Sequence, residues 1–344
     1  MNGLLTNFLF CIALTASSHA SASTYTVTST GSGGACTAGS TIDPNCTLDA
    51  AITAGNGGGV VHFSAAVQTQ TINGPFPNIQ NGVTIDASPN GVVLDGFNTY
   101  NVFYVESGQV LLSHLTLQHG LGSNSGGAIN NSGGDVTVEA CTIAHNVASL
   151  FGGGIYNQST MTILNSTLTD NHGVHGGGIF SSGTLTVANS TITGNFASGV
   201  NNNGGGIAQD NVLNLRSSIV ALNTSDSGPD INNFSGSAIL SLGFNLIGDG
   251  GSANISPDAS DQIGNVVAPL DPLFAAAGLA ANGGATSTLA LQSASPARAA
   301  GNCEGRPTVP IVPAEPLDER DVARSVPCTV GAFDMTSIFF GGFE

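Results

Sequence analysis

The chain has 344 residues, of which 41% are hydrophobic and 8% are charged, and its formal net charge is −17. This acidic balance excludes a nucleic-acid-binding protein, because no basic patch is available to displace counterions from phosphate, and it disfavours acidic polysaccharides as ligands. The alternating isoleucine, valine and leucine argue against disorder, which the 48 glycines alone would allow.

The first residues predict export. An apolar run from Leu4 to Leu14 leads to Ala20-Ser21-Ala22, which is typical of a secretory signal peptide and its cleavage site, although no Lys or Arg precedes the run. No other stretch is long and apolar enough to span a membrane. We therefore expect a secreted or cell-surface protein.

The segment that follows predicts a capped end of the fold. A strand is expected from Tyr25 to Thr28, and residues 46–55 predict a short amphipathic helix with Thr47 as N-cap and Gly55 at its end. A solenoid exposes unpaired strand edges at its ends, so a capping helix is expected at this position.

The cysteines predict two local disulfides. In an oxidising compartment, Cys36 is expected to pair with Cys46, and Cys303 with Cys328. Cys141 is expected to stay unpaired in a turn, and no cysteine spacing fits a zinc site.

Glycine-led phrases repeat through the middle of the chain: Gly126-Gly127-Ala128-Ile129, Gly152-Gly153-Gly154-Ile155, Gly176-Gly177-Gly178-Ile179 and Gly204-Gly205-Gly206-Ile207. Their isoleucines lie 26, 24 and 28 residues apart. A period in this range is typical of a solenoid, in which each coil buries its apolar face against neighbouring coils. Leu185-Thr186-Val187 alternates apolar and polar residues, so each period predicts one coil of a parallel β-helix with three short strands.

Equivalent side chains of successive coils are expected to stack about 4.8 Å apart. Leu185 and Val187 would point into the interior between equivalent residues of the neighbouring coils. Asn146, Asn171 and Asn195 would form a ladder at a turn, where amides bond along the column and tolerate a left-handed backbone.

Three parts of the chain resemble exported bacterial proteins. Cys46-Thr47-Leu48-Asp49-Ala50-Ala51-Ile52 is similar to the N-terminal module named for its C-S-L-R-E-A motif, although Asp49 and Ala50 stand where that family has Arg and Glu. The glycine-led phrases resemble the repeats of polymorphic outer-membrane proteins. Asn245-Leu246-Ile247-Gly248 and Cys328-Thr329-Val330-Gly331-Ala332-Phe333-Asp334 are similar to phrases of the choice-of-anchor Q module. The resemblance implies a secreted protein or one on the outer surface of a bacterium, with no agreed chemistry.

Taken together, these patterns predict an all-β fold: a single-stranded right-handed parallel β-helix with a short N-terminal capping helix and a loop-rich C-terminal cap. The expected boundaries are residues 1–22 for the signal peptide, 23–59 for the N-terminal cap, 60–250 for the β-helix, 251–334 for the C-terminal cap and 335–344 for a tail. The tail closes with the seven residues from Ile338 to Glu344.

Two columns of side chains are candidates for binding. Alignment of the coils places His119, His145 and Asp170 in one column, where they could bind a metal or share protons; the alternative is a solvated turn that tolerates a left-handed backbone. The residue after each repeat isoleucine should point outward, so Tyr156 and Phe180 would form an aromatic platform suited to sugar faces. The alternative there is a hydrophobic ladder covered by a loop or left exposed.

The sequence favours a non-enzymatic, monomeric scaffold for adhesion or glycan binding. Its expected partner is a neutral polysaccharide or another cell-surface ligand, with no catalytic residue, metal or cofactor assigned. One alternative is a polysaccharide hydrolase or lyase; Asp86 and Asp95 could supply paired carboxylates, but a lyase mechanism has no Lys to use as a base. The other alternative is a structural protein of the cell envelope.

Overall fold

The computed structural model describes residues 22–41, 43–200, 203–236, 239–251, 253–298, 300–301, 318–320 and 329–332. The predicted signal peptide before residue 22, the predicted disulfide between Cys303 and Cys328, and the tail from Ile338 to Glu344 lie outside these residues.

The predicted fold is confirmed: the chain winds into a right-handed parallel β-helix. Each regular coil passes through sheets A, B, D and C in turn. Sheet A runs through Thr24–Val27, Gly59–Phe63, Val83–Asp86, Gln109–Ser113, Asp135–Glu139, Thr160–Leu164, Thr184–Ala188, Val212–Arg216, Ile239–Ser241 and Ile255–Ser256. Sheet B runs through Thr69–Thr71, Val92–Asp95, Leu115–Gln118, Thr142–Ala144, Thr167–Thr169, Thr191–Thr193, Ile219–Ala221, Leu246–Ile247 and Gln262–Ile263.

The two remaining sheets of the coil are shorter. Sheet C contains Phe103–Val105, Ile129–Asn131, Ile155–Asn157, Ile179–Ser181, Ile207–Gln209 and Ile231–Asn233. Sheet D contains Leu121–Gly122, Val147–Ala148, His172–Gly173 and Phe196–Ala197. Parallel pairing continues to Ile263, beyond the boundary that the fading repeat suggested at residue 250.

The repeat isoleucines stack as the spacing predicts. Ile129 pairs with Ile155, Ile155 with Ile179, and Ile179 with Ile207, each in the strand directly above or below. All four side chains are fully buried, because alternate residues of a strand point into the closed coil. The apolar interior is therefore continuous from coil to coil.

The helix Leu48–Gly55 covers the first coil, as expected from its position before the repeats. It buries Leu48, Ala51 and Ile52 against the same core as the strands. Thr47 is the N-cap residue, but its hydroxyl makes no cap and instead accepts a hydrogen bond from the Gly34 amide at 3.2 Å. The hydroxyl thereby holds the loop that carries Cys36.

The predicted disulfide between Cys36 and Cys46 is present, with the two Cα atoms 4.4 Å apart. It joins the N-terminal loop to the start of the helix. Cys141 is buried and unpaired, as predicted.

Buried polar ladders hold the corners between sheets. The Asn146 amide nitrogen and its side-chain Nδ2 both donate to Asn171 Oδ1, at 3.0 and 2.9 Å. Asn171 bonds to Asn195 in the same way, and Asn195 to Asn223. The ladder ends where Asn223 donates to Asp230 Oδ1 at 2.9 Å. The predicted ladder therefore forms, and every amide in it is buried.

The left-handed residues of this corner are the ones that precede each ladder position, which is Gly120 in the first of these coils and an asparagine in the later ones. His119, His145, Asp170 and Gly194 have φ values of 50°, 58°, 55° and 67°. The ladder amides themselves lie in the next position, inside the corner. The asparagines were expected to take the left-handed conformation, but the residue before each of them takes it instead.

A C-terminal layer covers the outer face of sheet B. We use this name for residues 286–298, 318–320 and 329–332. It begins beside the antiparallel pair Phe274–Ala280 and Thr288–Leu291. Leu291, Ala297 and Val330 form a second, smaller apolar cluster with Ile219 and Leu246 of sheet B.

Candidate binding cleft

An open cleft of about 580 Å³ lies on the outer face of sheet C, over the first regular coils. Apart from Leu121 and Gly122, its floor and walls are aromatic, hydroxyl or amide side chains, and none of its lining residues is charged: Thr99, Tyr100, Asn101, Tyr104, Leu121, Gly122, Ser123, Asn124, Ser125, Asn130, Tyr156 and Gln158. The volume is in the range of small-ligand sites. In a chain with a net charge of −17, this is a locally neutral surface.

The floor of the cleft is the column that follows the repeat isoleucines. Tyr104 pairs with Asn130, and Asn130 pairs with Tyr156, in three successive strands of sheet C. Since neighbouring parallel strands lie about 4.8 Å apart, the two tyrosines are separated by roughly 10 Å. Two aromatic side chains thus flank one amide along the coil axis.

Asn130 lies between the two tyrosines, and its side chain makes few hydrogen bonds. Its Nδ2 is 3.5 Å from the Ser125 carbonyl oxygen, a long contact. Among the described residues, its Oδ1 accepts no hydrogen bond. That oxygen is buried from solvent, so Asn130 contributes an amide to the floor of the cleft but no accessible acceptor.

The walls come from two segments, the second of which begins with the short strand Leu121–Gly122 of sheet D. Residues 99–101 precede Phe103–Val105 in sheet C, and residues 121–125 connect sheets D and C of the same coil. The Leu121 amide donates to the Tyr100 carbonyl oxygen at 2.9 Å, so the two walls are tied together. Tyr100 is half-buried beside them.

The sequence-predicted platform divides into an open part and a covered part. Tyr156 and Phe180 stack on neighbouring coils with ring centroids 5.8 Å apart. Phe180 is only 8% exposed, because Phe151 and Phe234 pack against it at 4.7 and 5.7 Å. Tyr156 reaches the cleft, and burial raises its pKa. The part of the platform available to a ligand is therefore Tyr156.

Sequence reasoning missed Tyr100 and Tyr104. Tyr104 stands 26 residues before Asn130, the same interval that separates Ile129 from Ile155, and this signal could have extended the column by one coil. The coil that contains Tyr104 was not recognised as part of the repeat because no glycine-led phrase precedes Phe103. The wall segments have no repeated pattern, so their position over the column was not predictable.

The column of His119, His145 and Asp170 forms where it was predicted. The two imidazoles stack with centroids 5.8 Å apart, and His119 Nδ1 lies 3.0 Å from Asp95 Oδ2. Asp170 accepts a hydrogen bond from Thr169 Oγ1 at 3.1 Å. Within the part of the chain that the structure describes, no group of three or more His, Cys, Asp or Glu residues is arranged to hold a metal ion. The left-handed backbone of the column accounts for its polar residues.

The two candidate carboxylates of a hydrolase are each held in the ionised form. Burial of Asp86 favours the neutral acid, but hydrogen bonds from His114, Ser88 and Ser113 outweigh it and hold its pKa well below the usual value. Burial likewise opposes ionisation of Asp95, and hydrogen bonds from His119 and Gln118 keep its pKa low. Neither group would serve as a proton donor near neutral pH.

Across the described ranges, no helix combines the length and the apolar character needed to cross a bilayer. Comparison of the chain with protein-family models, with curated proteins and with solved structures found no match.

Proposed function

We propose that the protein is an exported scaffold that binds a neutral polysaccharide in the cleft over sheet C, without chemical conversion of the ligand. One observation carries this proposal: an uncharged cleft lined by Tyr100, Tyr104 and Tyr156, which are three of the four tyrosines in the chain. Tyrosine faces offer apolar area to the C–H surfaces of a sugar ring, and the surrounding amides and hydroxyls match its hydroxyl groups.

The charge distribution supports a neutral ligand over an acidic one. No Lys or Arg lines the cleft, so a uronic acid or a sulfated sugar would find no cation there while facing a strongly acidic protein. The disulfide between Cys36 and Cys46 supports placement outside the cytoplasm, because such bonds persist in oxidising compartments.

We expect Tyr104→Ala and Tyr156→Ala each to weaken binding of a neutral oligosaccharide about tenfold, because truncation of an aromatic anchor removes roughly 1.4 kcal/mol or more. Titration calorimetry of the mature protein against glucan, mannan, xylan and galactan oligosaccharides would measure this. Binding should be insensitive to salt, since neither partner contributes a charge at the contact.

The matched control is Phe196→Ala. Phe196 is an aromatic residue of sheet D that is 44% exposed and stacks on His172, outside the cleft. It should leave binding unchanged, with circular dichroism confirming that all variants fold. Preference for an acidic oligosaccharide, or equal affinity in Tyr104→Ala, Tyr156→Ala and wild type, would refute the proposed site.

A further inference from the structure

Three threonines of sheet B form a column on the face that the C-terminal layer covers. Thr142 pairs with Thr167, and Thr167 with Thr191, on successive coils. All three are buried, although they lie on the outer side of the β-helix. Each hydroxyl contacts the C-terminal layer, so the column is where the layer is attached.

Glu319 is the centre of this attachment. Its side chain is fully buried, with Oε2 2.6 Å from Thr167 Oγ1 and Oε1 3.3 Å from Thr142 Oγ1. Thr286 Oγ1 lies 3.0 Å from Oε1. Within the described residues no cation contacts the carboxyl group, because Arg320 Nε donates to Asp318 instead, at 2.8 Å. Counting only the residues that the structure describes, a carboxylate placed here would be a buried charge without a counter-ion.

The directions of the threonine hydroxyl protons indicate whether Glu319 is a carboxylic acid or a carboxylate. Thr142 Oγ1 donates to the Ser287 carbonyl oxygen at 2.7 Å, and Thr286 Oγ1 lies 3.2 Å from the Ala140 carbonyl oxygen. Each hydroxyl has a single proton to give. Because Thr142 directs its proton at Ser287, its 3.3 Å contact with Glu319 Oε1 needs a hydrogen from Oε1, which a carboxylic acid supplies and a carboxylate cannot. The Thr286 proton can be directed either at Glu319 or at Ala140.

Main-chain bonds extend the attachment around Glu319. Its amide donates to the Ala332 carbonyl oxygen at 3.0 Å, and the Ala332 amide donates to Thr191 Oγ1 at 3.1 Å. The Gly331 amide donates to the Ser217 carbonyl oxygen at 2.9 Å. The layer and the threonine column are therefore one hydrogen-bonded unit, and a change of charge at Glu319 acts on all of it.

We propose that Glu319 is a carboxylic acid in the folded protein and that its proton locks the C-terminal layer onto the threonine column, so that the layer loosens as the solution becomes alkaline. Loss of the proton leaves a buried charge at Oε1, opposite a Thr142 hydroxyl whose proton is directed at Ser287. The layer then opens, and the apolar surface of Ile219 and Leu246 is uncovered.

The surrounding ionisable groups agree with this assignment. Burial raises the pKa of Glu319 well above its usual value, against the hydrogen bonds from the threonines, and the negative charge of Asp318 adds to the rise. On the β-helix side the nearby groups are Cys141, whose thiol pKa is raised by burial, and Glu139 beyond it. Arg320 lies on the same segment as Asp318, and residues 286–288 and 329–332 carry no ionisable side chain.

The direction of the pH effect follows from proton linkage. A carboxyl group whose pKa is higher in the closed layer than in the open one binds more protons when closed, so closure is favoured most below the ordinary glutamate value of 4.5 and weakens as the pH rises. Burial also raises the pKa of Asp230, to about 6, but the contacts of Asp230 are with Asn223 and Asp249 of the β-helix and not with the layer. The pH dependence of the layer above neutrality is therefore assigned to Glu319.

Hydrogen exchange of the full chain, read by mass spectrometry on peptides that cover residues 318–332, tests the proposal. After correction for the intrinsic exchange rate, we expect the opening constant of the wild type to rise by about tenfold per pH unit above neutrality, until the carboxyl ionises in place. Glu319→Gln should show no such rise, because its amide does not ionise. Its NH2 group can donate to Thr142 and its oxygen can accept from Thr167, as the acid does.

Glu106→Gln is the matched control. Glu106 is a half-buried glutamate at the surface that accepts a hydrogen bond from Gln80 at 2.8 Å, and this variant should retain the wild-type slope. Equal slopes in wild type and Glu319→Gln would overturn the proposal. If Glu319→Gln fails to fold, infrared spectroscopy of the wild type decides: a protonated-carboxyl band at neutral pH that disappears on alkaline opening supports the lock, and its absence refutes it.

Discussion

Replacement of Gly153 by alanine is expected to lower the free energy of unfolding by about 3 kcal/mol or more. A Cβ at this position would lie 2.3 Å from the His172 carbonyl carbon and 2.4 Å from the Gly177 carbonyl oxygen, both main-chain atoms of the next coil. Main chain cannot move aside as a side chain can, so the two coils must separate locally. Urea denaturation followed by circular dichroism measures the change.

Gly74→Ala provides the comparison. A Cβ there meets no atom within 4 Å, and the residue does not have the left-handed φ that favours glycine. Its unfolding midpoint should stay close to that of the wild type. A Gly153→Ala protein as stable as Gly74→Ala would show that the coils are not in the close contact described above.

Replacement of Asn171 by alanine is expected to cost about 3 kcal/mol of stability, because it breaks the ladder in its middle. The Asn146 main-chain amide and Nδ2 lose their shared acceptor, and the Ile143 carbonyl oxygen loses a donor at 2.9 Å. Thermal and urea unfolding, with hydrogen exchange at the Asn146 amide, would measure the effect.

Asn90→Ala is the matched control for the ladder, because Asn90 is an exposed asparagine in a turn. It should change stability by no more than about 0.5 kcal/mol. Strong protection of the Asn146 amide in Asn171→Ala would contradict the ladder, since that amide would then have another acceptor.

The regular coils were predictable because each has the same residue types at equivalent positions. The glycines before Ile155 and Ile179 are required where one coil approaches the next, and the alternation at Leu185 and Val187 sets which side chains face the interior. Stacking of equivalent positions then follows from the period alone. The buried asparagines were predictable for the same reason.

The cleft and the C-terminal attachment were not predictable from periodicity. Tyr104 lies on a coil without a glycine-led phrase, and the walls at residues 99–101 and 121–125 have no repeated pattern. Glu319 lies far along the chain from Thr142 and Thr167, and only the folded structure brings them together. Phe180 was predicted to face outward, and it does, but its covering by Phe234 depends on a later coil.

The asparagine ladder has a direction. Each side-chain Nδ2 donates to the next ladder residue, and each Oδ1 accepts from the ladder residue before it, until Asp230, whose carboxylate can only accept. Each Nδ2 also donates to a main-chain carbonyl of the preceding coil. A duplicated copy of residues 171–194 would therefore fit before Asn195, since its asparagine can accept from the preceding coil and donate to the following one. The same copy placed after Asp230 would face a group with no hydrogen to pass on. This ladder can therefore be lengthened in its middle but stops at Asp230, although parallel pairing of strands continues to Ile263.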